Sequence, residues 1–297
     1  MIDSHQHFWS YDPVEYAWID ATMAPLQRDF MPVDLKREMD RSGVTACVAV
    51  QTRQSLEETR WLLELADVHP FVSGVVGWVD LQGDDVDAQL ERLSAHPKIA
   101  GVRHIAQAEP PGFFDRPRFR DGVARLERHG LTYDILVYAR QLAEAVGFAR
   151  AFPRQPFVLD HLGKPDIRGD GYSTWRRDFD AIAALPNVTC KLSGLVTEAD
   201  WREWTPGQLR PYLDAALEAF GPARVMMGSD WPVCLLAAPY ADVIEMVRDA
   251  IGEYSKDERE QILSGTAKRF FRLKAETREL PGGEIPRREL PRREFPE

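Results

Sequence analysis

His5 and His7 stand two residues apart among Ile2, Phe8 and Trp9, a setting that suits a buried strand. On a strand the period of two puts both imidazoles on one face. Two imidazoles so placed can chelate a metal or jointly polarise a carbonyl. His161 ends the run from Phe157, shares parity with Phe157 and Leu159, and is followed by the chain breakers Gly163 and Pro165. Asp230 follows a mostly apolar run from Val225 and precedes Trp231-Pro232. A carboxylate there is costly to bury without a partner or a task. It could ligate a metal or act as the general base that takes a proton from water. Asp-Trp-Pro also suits a simple turn, which is the structural alternative.

Further candidates fall at the ends of other apolar runs. Arg103 and His104 are adjacent, so the period of two lets only one of them join the histidines. Arg103 could stabilise an oxyanion or hold a substrate hydroxyl. Gln51, Asp134, Tyr138 and Lys191 are expected to contact substrate, with Trp78 and Trp231 as apolar walls for a sugar-sized ligand. His69, His96 and His129 sit at candidate helix ends and read as structural. Cys47 and Cys190 lie inside strand-like runs as small buried hydrophobes, and Cys234 has no histidine beside it in sequence. Gly-x-Ser-x-Gly is absent, which weakens a serine-hydrolase reading.

Eight apolar, β-branched runs must position these groups: Ile2–His7, Thr45–Gln51, Phe71–Asp80, Ile99–Ile105, Leu131–Tyr138, Phe157–Leu162, Val188–Gly194 and Val225–Trp231. Each is followed by a longer segment with apolar residues at helical spacing, such as Leu62, Leu63, Leu65 and Ala66. Leu213, Ala216, Leu217 and Phe220 form a second stripe, stopped by Gly221-Pro222. Strand–helix alternation admits a doubly wound sheet or a closed barrel. Eight is the number that closes, and no GxGxxG turn follows any strand, so the expectation is a (β/α)8 TIM-type barrel over residues 1–274. Strand C-termini then converge on one mouth.

The 297 residues carry 37 Lys+Arg against 47 Asp+Glu, a net charge of −10, which argues against a nucleic-acid partner. With 44% hydrophobic and 28% charged residues the chain can build a large core. Three scattered cysteines exclude a disulfide framework, and no run of about 18 apolar residues suggests a membrane span. The N-terminus lacks a secretory pattern, so the chain reads as cytoplasmic. Residues 275–297 place Pro281, Pro286, Pro291 and Pro296 five apart among charges, and are expected to be a disordered tail or a partner-binding peptide.

The motifs His5-Gln6-His7, Asp160-His161-Leu162-Gly163-Lys164-Pro165 and Gly228-Ser229-Asp230-Trp231-Pro232, in that order on strands one, six and eight, resemble the amidohydrolase superfamily. The stretch from Cys190 to Trp201 is similar to its sugar-lactonase branch, which includes L-fuconolactonase and L-rhamnono-lactonase. The resemblance covers about residues 1–272. It implies a (β/α)8 barrel that hydrolyses carbon–oxygen or carbon–nitrogen bonds. His5, His7 and His161 would be metal ligands or carbonyl polarisers, and Asp230 the base. Many relatives have a histidine at the end of strand five, where this chain has Asp134 and Tyr138. Strands four and five also lack the lysine of binuclear members. The resemblance therefore implies either no strictly required cofactor or a single zinc on His5, His7, His161 and Asp230. The implied substrate is a sugar-derived aldonolactone, L-fuconolactone foremost, opened to its aldonic acid in sugar catabolism. The alternatives are a metal-dependent decarboxylase of the same superfamily and a non-catalytic sugar-binding barrel. No membrane partner is expected, and a homo-oligomer is compatible with the sequence.

Overall fold

Continuous runs of buried residues, such as Ile2–Gln6 and Ala46–Val50, are what a parallel sheet covered on both faces requires. A computed structural model describes residues 1–169 and 171–274 of the chain. Its strands are β1 (Ile2–Gln6), β2 (Ala46–Val50), β3 (Val72–Gly77), β4 (Ile99–His104), β5 (Thr132–Ile135), β6 (Phe157–Leu159), β7 (Val188–Leu192) and β8 (Val225–Met227). They pair in parallel, in sequence order. Between them run α1 (Pro32–Ser42), α2 (Leu56–Val68), α3 (Val86–Ser94), α4 (Pro117–Leu126), α5 (Leu142–Ala151), α6 (Tyr172–Ala183), the single turn α7 (Leu195–Glu198) and α8 (Pro206–Phe220), with α9 (Tyr240–Ala250) after the last strand. This is the expected (β/α)8 barrel. The proline-rich stretch 275–297 lies outside the described residues.

Helix boundaries follow local chemistry. Ser55 caps α2 by accepting from the backbone N–H groups of Glu57 and Glu58, and Leu62, Leu63, Leu65 and Ala66 are buried as their spacing predicts. α8 begins at Pro206 after Thr205, ends at Gly221 and buries Leu213, Ala216, Leu217 and Phe220. No helix among the described residues is long and apolar enough to cross a membrane.

The seam between β8 and β1 is closed by residues that also build the site. Asp230 N–H donates to the His5 carbonyl at 2.8 Å, and His7 N–H donates to the Trp231 carbonyl at 2.7 Å. Just outside the seam, Asp3 accepts from Ser229 N–H at 2.9 Å, Ser229 Oγ at 2.6 Å, His5 N–H at 3.1 Å and Tyr240 OH at 3.2 Å. Burial lifts the Asp3 carboxyl to about 6, and these donors oppose that rise. Inside the barrel, Val48, Val158 and Met226 pack with Ile2 and Ala46 at the strand starts and with Phe271, which plugs the N-terminal end. The open end is therefore the C-terminal mouth, where such barrels carry their chemistry.

Candidate active site

The strands end earlier than their apolar runs do. β6 stops at Leu159, and His161 lies beyond it in a left-handed turn at φ +53°, followed by Leu162 at +53° and Lys164 at +47°. Asp230 also lies past its strand, at φ +59°. Side chains with a Cβ disfavour this region, and such strain concentrates at functional sites. The turn after β6 is held by Trp175, whose indole N–H donates to the Leu162 carbonyl at 2.8 Å.

These turns bring His5, His7, His161 and Asp230 together. His7 Nδ1 lies 2.7 Å from the Val50 carbonyl, which only accepts, so Nδ1 carries a proton and Nε2 faces inward. That Nε2 is 3.2 Å from His5 Nε2 and 3.3 Å from Asp230 Oδ1. The same Asp230 oxygen is 3.8 Å from His5 Nε2 and 3.9 Å from His161 Nε2. His161 is anchored from behind by Ser193 Oγ, 2.9 Å from Nδ1. Burial drives His5 well below its ordinary value and His161 to about 4, so both rings are neutral at pH 7. Burial works against the Asp230 charge too, but His161 and the His7 contact outweigh it and hold the carboxyl low.

Beneath this ring lies a sealed charge cluster. Lys191 Nζ, fully buried, touches Asp134 Oδ2, Asp160 Oδ1 at 3.0 Å and His5 Nδ1 at 3.1 Å. Arg103 Nη1 reaches Asp160 Oδ2 at 3.0 Å and His5 Nε2 at 3.3 Å, while its Nη2 donates to the Gln51 carbonyl. Burial raises the Asp134 carboxyl. Against the same burial, Lys191 and His5 hold Asp160 well below the usual range.

The other expected contacts divide clearly. Asp134 and Lys191 are fully buried under His5, not at the mouth, because they sit one layer deeper in the barrel. Arg103 is the inward member of its pair. His104 faces the helices, stacked on Phe113 at 4.6 Å with its Nε2 2.9 Å from Glu109, and so lies apart from the site. Gln51 is buried, its Nε2 donating to the Arg103 carbonyl at 2.9 Å. Trp231 is 2% exposed and packs on Phe8 and Phe30, so it supports the wall from behind. Trp78 and Tyr138 remain partly accessible past β3 and β5. Sequence reasoning missed Asp160, Ser193, Lys164 and Glu198. Asp160 shares the inward parity of Val158, whereas His161 shares the outward parity of Phe157 and Leu159 and reaches the site only through the left-handed turn.

Gly194 shows how tightly His161 is held. It sits at φ +68°, and a Cβ there would lie 2.5 Å from His161 Nδ1. Gly194→Ala is expected to keep the fold but displace the ring, lowering kcat by about tenfold or more, as small misplacements of reacting groups do. Steady-state rates beside a circular dichroism spectrum check this, and an unchanged kcat would contradict it.

A metal also fits in outline. His5, His161 and Asp230 each offer one ligand atom, and these atoms all lie within 4.8 Å of one another. His7 Nε2 borders the same space. Both ring nitrogens of His5, however, already face cationic donors, Lys191 and Arg103.

The profile of the amidohydrolase family matches residues 2–273. The L-fucono-1,5-lactonase of Burkholderia multivorans is 43% identical over 284 residues, 92% of this chain and 96% of that protein. The L-fucono-1,5-lactonase of Burkholderia ambifaria is 37% identical over 279 residues, 92% of this chain and 95% of that protein. A crystal structure of an amidohydrolase from Burkholderia multivorans with bound zinc has a TM-score of 0.89 at 42% identity, covering 92% of this chain and 99% of that one.

Proposed function

The chain belongs to the amidohydrolase family, and we propose that it hydrolyses a sugar-derived aldonolactone, L-fuconolactone foremost, to the aldonic acid. The observation that carries this reading is one carboxylate, Asp230, ringed by three histidines at the mouth of a closed barrel. The lactonase names of the two Burkholderia relatives support the same substrate class. Neither decarboxylation nor mere sugar binding draws on a comparable observation.

Asp230 takes a proton from water as the oxygen attacks the lactone carbonyl. Negative charge develops on the carbonyl oxygen, where the His161 imidazole, its Nδ1 held by Ser193 Oγ and its Nε2 turned to the site, lowers its energy. Arg103 acts from below by holding His5 and Asp160. The ring carbon–oxygen bond then breaks, and the proton held by Asp230 passes to the leaving alkoxide. The product is a hydroxy acid, which releases one proton to solvent. A carboxyl held low is a weak base. That suffices for a lactone, an activated ester with an alcohol leaving group.

One divalent ion could be held by His5, His161 and Asp230, with His7 beside them. There it would polarise the lactone carbonyl and lower the pKa of a bound water. Because His5 is engaged by Lys191 and Arg103, this chain's own donors are expected to carry the reaction. A proton-release assay on L-fucono-1,5-lactone, before and after dialysis against a chelator, tests both points. Turnover that survives dialysis is the expected result. Loss restored by zinc would make those residues obligatory ligands, and silence on all aldonolactones would sink the lactonase reading.

A further inference from the structure

Lys164 and Glu198, at the mouth ends of β6 and β7, have no assigned task. Lys164 Nζ lies 3.4 Å from Glu198 Oε1, and each side chain is 17% exposed. The ammonium is also 5.4 Å from the centre of the Tyr138 ring, which follows β5. Three consecutive strand ends thus bring an aromatic ring, a cation and a carboxylate to one side of the mouth. Lys164 is fixed there by its left-handed backbone: its N–H donates to the His161 carbonyl at 2.8 Å and its carbonyl accepts from Ala139 N–H at 3.2 Å.

A half-buried carboxylate in this place is unfavourable. Burial raises the Glu198 carboxyl, and Asp230 lies close enough for its charge to add to the rise. A 3.4 Å contact with one ammonium does not saturate either partner. The ammonium has three N–H donors and the carboxylate about four acceptor positions, so both keep capacity for a ligand.

We propose that Lys164 and Glu198 form the subsite that binds hydroxyl groups of the lactone's sugar portion, Glu198 accepting from hydroxyl hydrogens and Lys164 donating to hydroxyl oxygens. The pair carries no net charge, which matches a neutral polyol. An anionic substrate such as an aromatic acid gains no net attraction from a pair of opposite charges. The inference rests on the lactonase reading and specifies which part of the substrate is recognised.

The test compares kcat/KM for L-fucono-1,5-lactone with that for δ-valerolactone, a six-membered lactone without hydroxyls. In Lys164→Met and in the near-isosteric Glu198→Gln, the ratio of the two is expected to fall by about 10- to 100-fold, the effect of losing hydrogen bonds to a charged group. A ratio unchanged from wild type, whether both activities fall together or neither falls, overturns the subsite. Circular dichroism of both variants checks folding, and Glu198→Gln preserves the side-chain shape. Wild-type protein inactive on every hydroxylated lactone sinks the lactonase reading itself, and the subsite with it.

Discussion

Asp230→Asn is expected to lower kcat for lactone hydrolysis by about 100- to 10,000-fold, the usual range for a lost general base, with little change in KM. The amide has nearly the shape of the carboxyl but no basic oxygen to receive the proton of water. Folding is expected to survive. Asn tolerates the left-handed backbone that Asp230 adopts at φ +59°, and the seam bond to His5 comes from the backbone N–H. Asparagine also lacks the charge that His5, His7 and His161 surround at 3.3 to 3.9 Å. Those contacts weaken, but the rings keep their anchors behind them, Val50 for His7, Lys191 for His5 and Ser193 for His161. Single-turnover rates measured with proton release separate chemistry from product dissociation. Wild-type turnover in the variant would remove Asp230 from the role of base and leave water activation to the histidines.

Much of this arrangement was legible in the sequence, for physical reasons that also mark where reading stops. Each strand of a parallel barrel is buried on both faces, so eight apolar runs announced eight strands. Parity placed His5 and His7 on one face, and they do meet at 3.2 Å. For Arg103 and His104 parity stated that one faces inward, but only barrel closure decides which. Parity failed for His161, because the strand ends at Leu159 and a left-handed turn carries a residue of outward parity inward. There it stands beside Asp160, whose parity with Val158 already faces it in. Depth was equally hidden. A rise of about 3.3 Å per residue separates a mouth position from a sealed layer, and the stagger between strands sets which is which. Asp134 and Lys191 were therefore expected against substrate, while both lie buried beneath His5.

That buried layer makes Lys191 a positioning residue, and Lys191→Met is expected to reduce stability and rate by separable routes. Its ammonium touches Asp134, Asp160 and His5 Nδ1, none of them open to solvent. Breaking a buried ion pair on one side costs about 3–5 kcal/mol, because the opposite charge stays desolvated. For a domain of this size that lowers Tm by roughly 6 to 20 °C. The rate falls for another reason: His5 loses the donor that fixes its ring from below, and its Nε2 no longer holds its place against His7 and Asp230. We expect about a 10- to 100-fold loss in kcat, the scale of a misoriented catalytic group. The double variant Lys191→Met/Asp134→Asn distinguishes the two routes. Removing the carboxylate with the ammonium restores charge balance, since Asp160 keeps Arg103 at 3.0 Å, so much of the lost Tm should return. It does not replace the donor at His5, so kcat should remain low. Calorimetric Tm and kcat measured on the same preparations give the answer. Recovery of both would reduce Lys191 to a counter-ion for Asp134, whereas recovery of Tm alone shows that the layer under the site orients the imidazole above it.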